Sequence, residues 1–224
     1  MKTCLLVPIK DRAEILPVLL KSIDALNPQP DKIIFLENNS TDSTLNILVE
    51  YCQTKPLQTQ LIRIHVTENA NEASPYTVIA QVRDILLSAA RNFDADYAIF
   101  IESDIIPLSV DLIILLTKWE KPIVGCTYMQ SKEIPNQIKR DAIYECDALG
   151  TACLCLSKIA LQNKKLRFYP LLYHYGDENY SREDYGFGIK ARELAFKLWW
   201  YPNINFEFIE AKNERPWEKS IIIP

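Results

Sequence analysis

Glu102, Ser103 and Asp104 follow the apolar run 97–101 and carry the clearest chemical potential in this sequence. Residues i and i+2 of an extended segment project to the same side, so Glu102 and Asp104 can present their carboxylates together. Hard oxygen ligands of this kind suit Mg²⁺ or Mn²⁺, and a metal there would neutralise a diphosphate leaving group. The plainer reading is a strand end at which Ser103 or Asp104 caps the next segment.

Other polar groups stand at comparable places. After the run 32–36 comes Glu37-Asn38-Asn39-Ser40-Thr41-Asp42-Ser43-Thr44. Its side chains can cap the next helix and bond their own backbone, or hold the base and ribose of a nucleotide. After the run 3–9, Asp11 and Arg12 either border that nucleotide or form a solvated turn. Arg83 sits in an otherwise apolar helical stretch, and arginine is rarely buried without a charged partner; a phosphate, Asp84 and Asp104 are all open to it. Glu183 and Asp184 precede a helical segment, where carboxylates favour the helix dipole. A carboxylate there can instead act as general base on an acceptor hydroxyl. His65 and His174 are the only histidines; His65 reads as a strand-end residue and His174 as a candidate substrate contact.

These residues need a frame. The segments 3–9, 32–36, 61–66 and 97–101 are short apolar runs rich in branched residues. They lack the alternation of a half-solvated strand, which predicts central, parallel strands covered on both faces. Helical spacing over 13–25, 42–52 and 75–92 separates them, and strand-helix alternation implies an α/β sandwich. Beyond residue 105 the order loosens: a helix over 110–119, strands over 123–128 and 152–156, and a helix over 184–198, read as a mixed extension of the same sheet. Ligands of open α/β sheets bind outside the carboxyl ends of the strands, where the polar segments lie.

Composition excludes several classes. With 224 residues and 48% apolar content the chain reads as one domain. A net charge of −4 gives no positive field for nucleic acid. Five glycines supply neither the dinucleotide turn nor the phosphate loop. Six cysteines without a C-x-x-C pair read as reduced, buried and cytoplasmic. The N-terminal stretch is too short for a secretory segment. The greasy stretch 105–117 is broken by Pro107 and Asp111 and falls short of the ~20 residues that span a bilayer. The expectation is a soluble chain able to rest on a membrane surface. Trp199-Trp200-Tyr201, with Trp217, could stack on a glycan or dock on a membrane, but large aromatics at sheet ends favour the core.

Taken in order, the motifs resemble a family: the GT-A glycosyltransferases, close to family 2 and to the Anp1-like mannosyltransferases. The resemblance rests on Val7-Pro8-Ile9-Lys10-Asp11-Arg12, the segment from Leu36 to Thr44, Ala80-Gln81-Val82-Arg83-Asp84, and the segment from Asp96 to Asp104. It continues through the segment from Tyr144 to Ala152 and Glu183-Asp184-Tyr185-Gly186-Phe187, and covers residues 3–210. It implies a GT-A fold with a mostly parallel central sheet flanked by helices, the nucleotide in the half 1–107 and the acceptor in the half 108–224. It implies a nucleotide-sugar donor, UDP- or GDP-linked, a glycan, lipid or protein acceptor, and Mn²⁺ or Mg²⁺ as cofactor. Pro8, Asp11, Arg12, Glu37 and Asn39 would then surround the nucleotide and Arg83 would sit near the diphosphate. Glu102-Ser103-Asp104 would stand for D-x-D, with Asp104 the principal metal ligand and Glu102 its companion. Gly150 and Thr151 would line the donor-sugar and acceptor side, and Asp184, beside Glu183, would be the base.

The sequence departs from the pattern at three places. Glu102 replaces the first Asp of D-x-D, Asp84 stands where relatives carry Asn, and Phe208 occupies the place of a late histidine, leaving Glu207 or Glu210 as substitutes. Family 2 enzymes invert configuration with a base such as Asp184, whereas Anp1-like relatives retain it. Two other functions remain open: a degenerate domain that binds nucleotide sugar or glycan without turnover, and a sugar nucleotidyltransferase. The latter is disfavoured because no glycine follows the first strand run.

Overall fold

The run 3–9 has no polar alternation because both its faces are covered. Cys4 and Leu6 join a buried cluster with Ile34, Leu36 and Phe100, while Leu5, Val7 and Ile9 join another with Ile33, Phe35, Ile99 and Ile101. The computed structural model describes residues 1–66, 75–126, 128–130, 139, 141–175, 178–204 and 206–208. Its elements begin β1 (Thr3–Ile9), α1 (Leu16–Asp24), β2 (Lys32–Asn38), α2 (Thr44–Thr54), β3 (Thr59–Ile64), α3 (Pro75–Asn92), β4 (Tyr97–Ile101) and β5 (Ile105–Pro107). They continue α4 (Leu112–Thr117), β6 (Ile123–Gly125), β7 (Tyr128–Gln130), β8 (Tyr144–Cys146), β9 (Ala148–Leu149), β10 (Cys153–Ser157) and α5 (Lys158–Gln162). The last are β11 (Leu171–Tyr175), β12 (Glu178–Arg182), α6 (Glu183–Glu193), β13 (Leu198–Trp200) and β14 (Phe206–Phe208).

Eight strands form the central sheet in the order β3-β2-β1-β4-β10-β6-β13-β8. The first four are mutually parallel, as their apolar runs predict. β10 runs antiparallel between β4 and β6, so the second half does extend the same sheet. One face carries Val82 and Leu86 of α3, Ala160 of α5 and Phe187 of α6. The other carries Leu16 and Leu19 of α1, Leu48 of α2, and Leu112 and Leu116 of α4. Because β1, β2 and β4 are parallel, their carboxyl ends share one sheet edge, and β10 starts there with Cys153 opposite Ile101.

The differences from the sequence expectations have local causes. α1 starts at Leu16 rather than near residue 13 because the Arg12 and Ala13 amides donate to Thr44 Oγ1 and Asp42 Oδ2, at 2.7 and 2.9 Å. α2 starts at Thr44 rather than 42, since Asp42 serves those neighbours. β3 starts two residues early because the Thr59 hydroxyl donates to the Lys55 carbonyl at 2.7 Å and pins the turn. α6 stops at Glu193, where Ala195 turns left-handed at φ 61° and the Phe196 amide reaches back to Ala191. The expected strand 123–128 divides into β6, in the main sheet, and β7, which pairs with β9. The pairing of β5 with β14 had no signal in the sequence.

The six cysteines are free, and all but the half-buried Cys52 are buried. Trp200 and Tyr201 are buried, in keeping with a core role; Trp217 and Glu210 lie outside the described residues. Among the described residues no helix is long and apolar enough to cross a membrane.

Candidate active site

At the ends of β1 and β2 the chain makes a cradle of hydrogen bonds. Asp11 and Asn39 both have left-handed backbone, at φ 50° and 53°, a conformation that Asp and Asn tolerate better than most residues. The Asp11 amide donates to Ser40 Oγ at 2.9 Å, and Asp11 Oδ1 accepts from the Thr41 amide at 2.6 Å and its hydroxyl at 3.1 Å. Asp42 accepts from the Ala13 and Thr44 amides, both at 2.9 Å. Burial alone would raise the Asp42 carboxyl, but the Thr44 hydroxyl and these amides together hold it below the usual carboxylate range. Pro8 and Arg12 are half-buried alongside. Glu37 is fully buried; its Oε1 accepts from the Ser40 amide at 2.5 Å. Its Oε2 lies 3.3 Å from the exposed Arg63 without hydrogen-bond geometry and has no hydrogen-bond partner among the described residues. Arg12 Nε is likewise buried and unpartnered. A buried acceptor and a buried donor left open beside a preformed loop suit a polar ligand.

At the end of β4 the organisation is ionic. Arg83, on α3 and 5% exposed, donates through Nη2 to Glu102 Oε1 at 2.5 Å and through Nη1 to Glu183 Oε1. Of the partners left open by the sequence, it takes neither Asp84 nor Asp104 in these bonds. Burial alone would lower its pKa, but the two carboxylates raise it. Burial pushes the Glu102 carboxyl up; Arg83 pulls it down, and the charges of Asp104 and Glu183 push it up again. Ser103 is buried, and Asp104 is half-buried. Asp184, the next residue after Glu183, is half-buried at the start of α6. Asp84 turns the other way and accepts the Phe168 amide at 2.7 Å.

The remaining predicted residues reach the same edge. Gly150 and Thr151 are buried just before β10, and the Glu102 amide donates to the Ala152 carbonyl at 3.1 Å. β14 pairs antiparallel with β5, which sets the Phe208 backbone opposite Ile105, beside Asp104 in the chain. The position expected to carry a late ligand is thus next to the acidic strand end, with Glu207 exposed on the same strand. His65 follows β3 and is exposed, while the His174 side chain lies outside the described residues. Sequence reasoning missed the Arg83–Glu183 pair, 100 positions apart. The only signal for it was an arginine in an apolar helix stretch needing a charge.

At this edge Glu102 and Glu183 share one guanidinium, and Asp104 adds a third carboxylate whose charge acts on Glu102. Such a surplus of negative charge fits a divalent cation. Among the described residues no three Asp, Glu, His or Cys side chains converge as a metal cage. Asp104 and Glu102 would therefore supply two positions and leave the others to phosphate oxygens and water, a common arrangement for Mg²⁺.

Comparisons with known proteins agree on the architecture. The family model described as Glycosyl transferase family 2 matches residues 4–177. A search of curated proteins finds no match. Among solved structures, S. aureus TarS 1-349 in complex with UDP-GlcNAc superposes with a TM-score of 0.65 at 15% identity, covering 99% of this chain and 62% of that one. The mannosyltransferase PcManGT from Pyrobaculum calidifontis, in complex with GDP-Man and Mn²⁺, gives 0.65 at 14% identity, covering 95% and 58%. Glucosyl-3-phosphoglycerate synthase from Mycobacterium tuberculosis, with Mn²⁺, UDP and phosphoglyceric acid, gives 0.52 at 14% identity, covering 86% and 64%. The chain thus spans less than two thirds of the length of these three. At such identities the likeness speaks for the fold, and it is the GT-A architecture that the motifs implied.

Proposed function

The chain belongs to glycosyl transferase family 2, and on that basis we propose that it transfers a sugar from a nucleotide-diphosphate sugar to an acceptor hydroxyl, with a divalent metal at Asp104 and Glu102. The observation that carries this reading is the Arg83 bridge, which joins the acidic end of β4 to the acidic start of α6. The cradle of Pro8, Asp11, Arg12, Glu37 and Asn39 binds the nucleotide, a reading supported by the buried Glu37 Oε2 and Arg12 Nε that lack a hydrogen-bond partner among the described residues. Gly150 and Thr151 border the donor sugar. When bound, Mn²⁺ or Mg²⁺ supplies Lewis-acid neutralisation of the departing diphosphate. Asp184 takes the proton of the acceptor hydroxyl. The acceptor oxygen then bonds to the anomeric carbon as the bond to the β-phosphate oxygen breaks, and the nucleoside diphosphate leaves with inverted configuration at the sugar. The half 1–107 serves the donor and the half 108–224 the acceptor, within one domain. UDP and GDP donors, and glycan, lipid or protein acceptors, fall within the proposal, as do a cytoplasmic location and contact with a membrane surface.

The test is a thermal-shift screen against UDP-, GDP-, CMP- and dTDP-sugars with and without Mn²⁺, followed by a transfer assay with the donor that shifts. A ligand that binds only the folded chain raises its melting temperature by mass action. A shift for one nucleotide that requires Mn²⁺ and disappears in Asp104→Ala supports the reading, and no shift with any donor defeats it. The phenylalanine at the late-ligand position, set beside β5, favours one second reading: a domain that binds the donor without turnover. Donor hydrolysis above background discriminates against it.

A further inference from the structure

We infer that Arg83 is a positioning residue, which rests on the proposed transferase site and gives this arginine a different task from contact with the diphosphate: it holds the metal-side Glu102 and the base-bearing start of α6 in one fixed constellation. Both terminal nitrogens are on carboxylates, Nη2 on Glu102 and Nη1 on Glu183. Glu183 is 5% exposed, as is Arg83 itself. A phosphate would reach those nitrogens only by displacing a carboxylate, the buried Glu183 or the half-buried Glu102. The guanidinium also lies against the Phe168 ring, 5.7 Å from its centroid. That ring is stacked on Phe187 of α6 at 4.5 Å and 20°, and the Phe168 amide is held by Asp84, the residue after Arg83. Two successive residues of α3 therefore grip α6, one through an ion pair to its first residue and one through an aromatic stack.

The chemistry favours arginine for this task. Its planar fork presents donors in fixed directions and spans two carboxylates, whereas lysine offers a compact point charge on a flexible stem. Removing the positive charge altogether would leave the buried Glu183 and the half-buried Glu102 uncompensated, which is strongly destabilising. Arg83→Lys is therefore the informative variant, and Glu183→Gln, which keeps the shape and the hydrogen bond, is its complement. Asp184 follows Glu183 directly, so a loosened Glu183 misplaces the base. Misplacements of about 1 Å lower turnover by about a hundredfold.

The experiment measures donor affinity in Mn²⁺, kcat and melting temperature for wild type, Arg83→Lys, Glu183→Gln and the double variant. Arg83→Lys is expected to keep donor affinity within about threefold while kcat falls by about a hundredfold. Glu183→Gln is expected to follow it in the same direction, and the double variant to be no worse than the poorer single one, as for residues that act as a unit. A parallel fall in donor affinity would make Arg83 a donor ligand, and unchanged kcat or multiplying losses in the double variant would make the bridge irrelevant to the base; each overturns the inference. Should Arg83→Lys fail to fold, Glu183→Gln decides alone by the same split between affinity and kcat. A wild-type chain that binds donor without turnover defeats the transferase reading instead, and the inference then falls if the melting losses of the single variants simply add.

Discussion

At the end of β2, the residues Ser40, Thr41, Asp42 and Thr44 are tied to residues 11–13 by hydrogen bonds of 2.6–3.1 Å, nearly all of them involving backbone amides. At the end of β4, two strands away in the same sheet, the side chains meet as ions, with Glu102 and Glu183 sharing Arg83 and the charge of Asp104 acting on Glu102. Hydrogen bonds between backbone and short side chains fix a loop without any ligand, so the first region is preformed. At the second region the carboxylates outnumber the guanidinium, with Glu102 and Asp104 half-buried, an excess of negative charge that would favour a cation. On the proposed function, donor recognition and catalysis should fail separately: variants of the cradle should change affinity, and variants of the ionic end should change turnover.

Asp104→Ala breaks the comparison most sharply. Metal stabilisation of the transition state is worth several kcal/mol, so transfer should fall by about a thousandfold or more. The melting temperature of the ligand-free chain should hold or rise, because a negative charge leaves a surplus. Chelation of the metal in the wild type should reproduce the loss, and added Mn²⁺ should restore it. A variant that melts far lower would mean that Asp104 holds the fold rather than the metal.

Glu37→Gln tests the other region. The fully buried carboxylate has one oxygen without a hydrogen-bond donor, and an amide replaces that acceptor with a donor. Donor affinity should weaken by about tenfold, roughly the 1.4 kcal/mol of one hydrogen bond to a charged group, while kcat at saturation stays near wild type. Equal losses in kcat and affinity would erase the distinction between the two regions. Asn39 sharpens it from the side of stability. The left-handed conformation at φ 53° costs a residue with a Cβ about 1 kcal/mol, and asparagine tolerates it better than alanine. Asn39→Ala should therefore melt about 2–4 °C lower, and Asn39→Gly should match wild type. If Asn39→Ala melts at the wild-type temperature, the loop is not preformed by its backbone.

The two regions also differed in how far the sequence disclosed them. The frame of the cradle follows from residues near in the chain: the unbroken apolar runs of β1 and β4 match their elements, that of β2 continues two residues further to Asn38, and α3 occupies Pro75–Asn92 as its spacing predicts. The polar segment at 37–44 was visible as a capping or nucleotide-binding segment, but the engagement of Asp42 and Thr44 with residues 12 and 13 was not, and this is why α1 begins late. Around β4 the local spacing of Glu102 and Asp104 was legible, yet the partner of Arg83 lies 100 residues downstream. No periodicity encodes such a pair. The β5–β14 pairing was hidden for the same reason, since strands of three residues leave no pattern to read.

The smallest effect lies just behind the ionic region. Asp84, one residue beyond Arg83, spends its Oδ1 on the Phe168 amide. Burial raises its carboxyl above the usual range, while that amide, Arg167 and Arg91 pull it down less strongly. A carboxyl raised in the folded state binds a proton more readily there than in the unfolded chain. Its contribution to stability is present at acid pH, below the unfolded value, and is lost as pH rises through the folded value. Asp84→Asn keeps an oxygen for the Phe168 amide and carries no charge. It should melt about a degree or two higher than wild type at pH 7, with the advantage vanishing as pH falls below the unfolded carboxylate value of about 4. Turnover should not change, because Phe168 remains held and Arg83 keeps both carboxylates. An advantage that persists at pH 3 would mean that Asp84 is destabilising through packing rather than charge, and a fall in kcat would place it, with its neighbour, on the catalytic side of the comparison.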